Sequence, residues 1–65
     1  MNKDTLKGKW KQMKGQVRQE WGKLTDDDID IVKGNYEQLV GKVQERYGHS
    51  KDEARKNVDS FLARI

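Results

Sequence analysis

The sequence predicts an all-α domain of four helices packed as two helical hairpins. Three observations lead there: apolar residues recur at steps of three and four, helix start and stop residues punctuate the segments, and one pattern recurs at an offset of 26 residues. No strand signal competes, since the chain has no alternating β-branched run and no Pro.

The first helix is expected over about 3–21. Leu6, Trp10, Met13, Val17, Trp21 and Leu24 step by four and three, which puts them on one stripe at about 100° per residue. Gly22 follows as a left-handed stop, because it lacks the Cβ that penalises that conformation. Thr25 then caps a short second helix over about 26–33, where Asp26, Asp27 and Asp28 set negative charge against the positive end of the dipole.

Gly34-Asn35 interrupts the chain, and Asn35 with Gln38 has the form of a capping box that opens a third helix over about 35–47. Its apolar stripe is Tyr36, Leu39, Val40, Val43 and Tyr47, and Gly48 closes it. Ser50 with Glu53 is the clearest capping box in the chain. It opens a fourth helix over about 50–63 whose expected buried stripe is Ala54, Val58, Phe61, Leu62 and Ile65.

Sliding the chain by 26 positions lays Asp4, Lys7, Gly8, Gln12, Gly15, Val17, Gly22 and Asp26 on Asp30, Lys33, Gly34, Gln38, Gly41, Val43, Gly48 and Asp52. Apolar positions follow: Trp10 meets Tyr36, Met13 meets Leu39, and Trp21 meets Tyr47. Residues 1–65 are read as one domain of two related helix-turn-helix units, each with an apolar face it cannot bury alone. Gly15 and Gly41 point away from those faces, and a mid-helix Gly costs about 1 kcal/mol relative to Ala. Three readings of them stay open: they are tolerated, they let a partner approach the backbone, or they keep the helices marginal.

A 65-residue chain forms one domain and buries roughly 60% of its unfolded surface, so its stability is expected to be thin. With no Cys and a single His, His49, neither a disulfide framework nor a structural metal is available. A reducing compartment is then the default, and the cytoplasm the expected location. Met1-Asn2-Lys3-Asp4 begins no leader-like apolar run, and no stretch approaches the ~20 apolar residues of a membrane span. Hydrophobic residues are 32% and charged residues 38%, so the placement of the apolar residues, and not their number, argues for folding.

The net charge of +3 is unevenly spread. Residues 1–24 hold seven bases against two acids, a surplus of five, whereas the remainder holds seven bases against nine acids. That asymmetry hints at a polyanionic partner. Lys3, Lys7, Lys11, Lys14 and Arg18 form a basic stripe along one border of the apolar face, and Lys7, Lys11, Lys14 and Arg18 are the candidate polyanion-binding residues. The stripe suits the phosphates of a nucleic acid, an anionic membrane with Trp10 and Trp21 at its interface, or a solvated rim whose long stems cover apolar surface.

No catalytic, cofactor or metal site is expected. His49 beside Ser50 reads as a solvated turn rather than a nucleophile and its base. The Gly22-Lys23 and Gly41-Lys42 pairs lack the loop length and the Ser/Thr of a phosphate loop. Three adjacent aspartates on a helix start diverge rather than converge on one ion.

The runs Trp10-Lys11-Gln12-Met13-Lys14-Gly15, Trp21-Gly22-Lys23-Leu24-Thr25-Asp26-Asp27-Asp28, Gln38-Leu39-Val40-Gly41-Lys42 and Tyr47-Gly48 resemble the CsbD-like family of small bacterial stress proteins. The resemblance spans nearly the whole chain. It implies a SAM-domain-like fold of two packed helical hairpins, a cytoplasmic location and a role in general stress responses, with no enzymatic activity and no established binding residue. A non-enzymatic stress-response protein, monomeric and protective or interaction-based, is therefore the expected function. The alternative is a small nucleic-acid-binding module that uses the basic stripe.

Overall fold

A computed structural model describes residues 3–65; Met1 and Asn2, read above for a leader, lie outside the described residues. Among the described residues there are five helices and no strand: α1 Lys3–Gly8, α2 Trp10–Glu20, α3 Asp26–Val32, α4 Tyr36–Tyr47 and α5 Lys51–Arg64.

Side-chain oxygens start the last three. Thr25 Oγ1 accepts from the Asp28 N–H at 3.1 Å while Asp28 Oδ2 accepts from the Thr25 N–H at 3.0 Å, a reciprocal box at the head of α3. Ser50 and Glu53 form the same box at the head of α5. At α4, Asn35 Oδ1 accepts from the Gln38 N–H at 2.9 Å. These oxygens satisfy backbone donors that have no partner inside the first helical turn.

The single first helix expected over 3–21 is in fact two, bent at Lys9, whose φ of −112° and ψ of 19° leave the helical region. The bend makes room for the turn between α3 and α4. Gly34 is buried against it, so closely that a Cβ there would lie 2.8 Å from Lys7 Cα and 3.0 Å from both Leu6 O and Trp10 Cβ. Backbone bonds still run through the bend, from the Lys9 N–H to Thr5 O at 2.9 Å and from the Met13 N–H to Lys9 O at 3.0 Å. Lys9 and Asn35, the residues before α2 and α4, stand 26 apart. Asn35 offers a capping oxygen and the chain makes a full turn there. Lys9 offers none, and the chain only bends.

Gly22 is not the left-handed stop expected of it. The helix ends one residue earlier at Trp21 (φ −121°, ψ 80°), and the Leu24 N–H closes the following turn on Trp21 O at 3.0 Å. Positive φ among the described residues is confined to Lys33, Gly34 and Gly48. The departure at Trp21 carries both Trp21 and Leu24 inward, Trp21 edge-on to Phe61 with ring centroids 5.0 Å apart.

α4 is the central helix. It packs most closely on α5 and also meets α3 and α1, whereas α2 has its closest backbone neighbour in α1 and otherwise reaches the core through side chains. Leu6, Met13, Val17 and Leu24 meet Ile29 and Val32 of α3, the α4 stripe and the α5 stripe in one buried cluster, with Trp10 and Tyr47 partly buried beside it. Ile65, expected in the α5 stripe, is 37% exposed because it lies just past the last helical residue, Arg64. The Tyr36 hydroxyl donates to Asp59 Oδ1 at 2.7 Å, tying the start of α4 to α5. Burial first, and the Asp59 carboxylate next, push the Tyr36 hydroxyl up to about 12.

Candidate functional site

α2 holds its apolar residues on one face, so helical geometry places Lys11, Lys14 and Arg18 together on the border beside it. Lys7 precedes them on α1, on the other side of the bend at Lys9, through which backbone hydrogen bonds still run. The side chains of Lys7, Lys11 and Lys14 are exposed, and none has an ion-pair partner among the described residues. Arg18 is only half-exposed and pairs with Asp26 at the head of α3. Lys14 and Arg18 form one wall of an open cleft of about 360 Å³, with Gly15 beside them and Asp26, Ile29 and Asp30 opposite. Lys3, at the edge of the stripe, lies over the Tyr36 ring at 4.6 Å from its centroid.

The basic residues of the later helices are placed differently. Arg46 and Lys42 meet Asp28, Arg55 meets Glu37, and Arg64 reaches back to Glu20 at 2.8 Å. Lys33, Lys51 and Lys56 have no ion-pair partner among the described residues, but Lys33 lies in the turn after α3 whereas Lys51 and Lys56 are on α5. Among the described residues, unpaired cations therefore stand in a row only along α1 and α2.

The glycines do not behave alike. Gly15 and Gly41 face open space, where an added Cβ would meet nothing within 4 Å, so no packing within the chain requires them. Gly34 is the one that close packing demands.

Sequence reasoning missed the inward turn of Asp28. Of the three consecutive aspartates Asp28 alone is buried, at 2% exposure, and its carboxylate is gripped from three sides. Arg46 Nε donates to Oδ2 at 2.8 Å and Arg46 Nη2 to Oδ1 at 3.0 Å, a two-pronged pair. Lys42 Nζ stands 3.5 Å from Oδ1, and the Thr25 N–H donates to Oδ2. The Arg46 bonds first, and the Thr25 backbone bond next, hold the Asp28 carboxyl well below the usual carboxylate range, and Asp28 in turn raises Arg46. Asp26 points the other way, to Arg18, so the aspartates do not converge on an ion. Two signals in the sequence mark Asp28: it stands three residues after Thr25, and the 26-residue offset lays it on Ala54, a core position.

Ser50 and His49 are held by one carboxylate. Ser50 Oγ accepts from the Glu53 N–H and donates to Glu53 Oε1 at 3.2 Å, while His49 Nδ1 stands 3.7 Å from Glu53 Oε2. The imidazole also stacks on Tyr47, with centroids 5.9 Å apart. Glu53 thus joins both residues, whereas nucleophilic catalysis places the imidazole between hydroxyl and carboxylate. The arrangement serves the cap of α5.

The model of the CsbD-like family matches residues 4–56 of the chain. The UPF0337 protein YjbJ of Escherichia coli (strain K12) is 62% identical over 64 residues, covering 98% of this chain and 93% of that protein. A UPF0337 protein of Rhodopirellula baltica is 70% identical over 61 residues, 94% of this chain and 90% of its own length. One from Agrobacterium fabrum is 53% identical over 64 residues, covering 98% and 96%. These names carry no activity.

Proposed function

The chain belongs to the CsbD-like family, and on that footing we propose that it is a non-enzymatic protein of the general stress response, a cytoplasmic monomer acting through its hydrated helical surface on what it protects or contacts. The observation that carries this reading is the placement of Gly15 and Gly41 in mid-helix against open space. Each weakens its helix by about 1 kcal/mol in a domain whose core is already small. Stability is given up where no contact within the fold asks for it. That suits a protein whose helices are meant to loosen or to be approached, and the engagement of Ser50 and His49 by Glu53 supports a non-catalytic role.

The test joins stability to physiology. Gly15→Ala and Gly41→Ala are each expected to raise the urea midpoint by the equivalent of about 1 kcal/mol, since Ala lowers unfolded-state entropy and fits both sites. Protein level is expected to rise in stationary phase and under osmotic stress, and the doubly stabilised variant to restore less stress survival to a deletion strain than the parent. A level unaffected by such stresses would count against the stress role. Full rescue by the double Ala variant would show that the marginal helices have no function.

A further inference from the structure

We propose that the ridge of Lys7, Lys11 and Lys14, continued by Arg18, is a docking surface for the phosphate backbone of a nucleic-acid duplex, bound without base readout. This goes beyond the stress reading and does not rest on it. Between Asp4 and Glu20 the chain has no acidic residue, and the three lysines are exposed and unpaired while Arg18 alone is engaged, by Asp26. From residue 7 to residue 18 the ridge runs at most about 16 Å at 1.5 Å per residue, enough to reach roughly three phosphates of one strand. Beside it lies the open backbone at Gly15, and next to that the exposed amides of Gln12 and Gln19 add donors, while Asp4 and Glu37 share a cleft with Lys7 at the α1 end. Asp26 and Asp30 bound the ridge on its α3 side.

Burial of the aromatic residues selects a duplex over the other polyanions. A membrane-surface helix needs apolar side chains to insert, but Trp21 is buried against Phe61 and Trp10 is packed on the core, with no large apolar residue on the outward face of α2. Single strands are held by stacking bases on open rings, and Tyr36 is likewise committed, to the core and to Asp59. What remains outward is charged and polar, which fits counterion release from a phosphate backbone.

The test is fluorescence polarisation of a mixed-sequence DNA duplex several times longer than the ridge, titrated with the intact protein at increasing salt. Three to four phosphate contacts predict a log–log salt slope of about −3, so affinity falls roughly 50- to 100-fold between about 50 and 200 mM salt. Replacing Lys7, Lys11 and Lys14 by Gln is expected to cost at least about tenfold at low salt and to flatten the slope by about two to three. Replacing Lys33, Lys51 and Lys56 by Gln removes the same charge elsewhere and is expected to leave binding within about twofold. All six side chains are exposed, so both variants should fold, which circular dichroism checks. Absence of duplex binding at the lowest salt, or equal loss in the two triple variants, overturns the proposal. So does binding to vesicles containing phosphatidylglycerol when the duplex is not bound, which would assign the ridge to a lipid surface.

Discussion

Gly34→Ala is expected to destabilise the domain by about 3 kcal/mol or more, the largest effect of any single methyl group added to the chain. Two costs add there. The backbone sits at φ +83°, where a Cβ is strained, and that Cβ would press on Lys7 Cα and Leu6 O, backbone atoms that cannot move aside without straightening the bend at Lys9. Gly48→Ala is the matched comparison, with φ +69° but open space around it, and should cost only about 1 kcal/mol. A domain of this length has roughly 3–10 kcal/mol in total, so the first variant loses a third or more of its stability, and all of it at the low end of that range, while the second is merely weakened. Urea midpoints and the near-ultraviolet signal of Trp21 would report both. If the two glycine variants lost the same stability, the close packing of the α3–α4 turn against α1 would have to be given up.

Asp28→Ala should cost about 2–3 kcal/mol, more than any other removal of a single carboxylate from this chain. The change takes away the cap on the Thr25 N–H and the shared partner of Arg46 and Lys42 in one step. Asp26→Ala, at an exposed pair with Arg18, should cost well under 1 kcal/mol. The pH dependence follows from the same contacts. Asp28 holds its proton less tightly when folded than at its ordinary value of 3.8, so below about pH 4 the unfolded chain binds that proton first. The stability this carboxylate supplies is complete above about pH 5 and drains away as the pH falls below about 4. Denaturation of the parent and of Asp28→Asn should therefore differ most near neutrality, by a gap that narrows steadily as the pH falls below about 4. A gap between them that stayed constant with pH would show that the charge on Asp28 does not matter.

Much of this architecture is readable from local pattern. Thr25, Asn35 and Ser50 each start a helix because their oxygens reach a backbone N–H three residues on, an interaction that needs no partner elsewhere in the chain. The apolar stripes of α4 and α5 are buried as their spacing implies, from Tyr36 to Val43 and from Ala54 to Leu62. The break in the first helix was less plain, since its apolar stripe runs through it without a gap. The 26-residue offset sets Lys9 against Asn35, the residue that precedes α4, but Lys9 has no capping oxygen and so marks no break by itself. Gly22 misled for a different reason: a glycine after an apolar stripe resembles a stop whether or not the helix has ended before it.

Sequence by itself determined where the helices opened by Thr25, Asn35 and Ser50 start, which faces are apolar, that the bases gather on the first third of the chain, and which family the chain resembles. Each depends on residues within a turn or two of one another, or on pattern alone. Only the tertiary structure decided that α1 and α2 are separate, that Gly34 is the indispensable glycine, that Asp28 alone of three aspartates turns inward, and that Lys7, Lys11 and Lys14 stay unpaired. Those outcomes depend on atoms brought together by the packing of α4: Arg46 meets a carboxylate 18 residues earlier in the chain, and Gly34 meets the backbone of Lys7. Local spacing carries no record of such meetings, because they exist only once the core has closed.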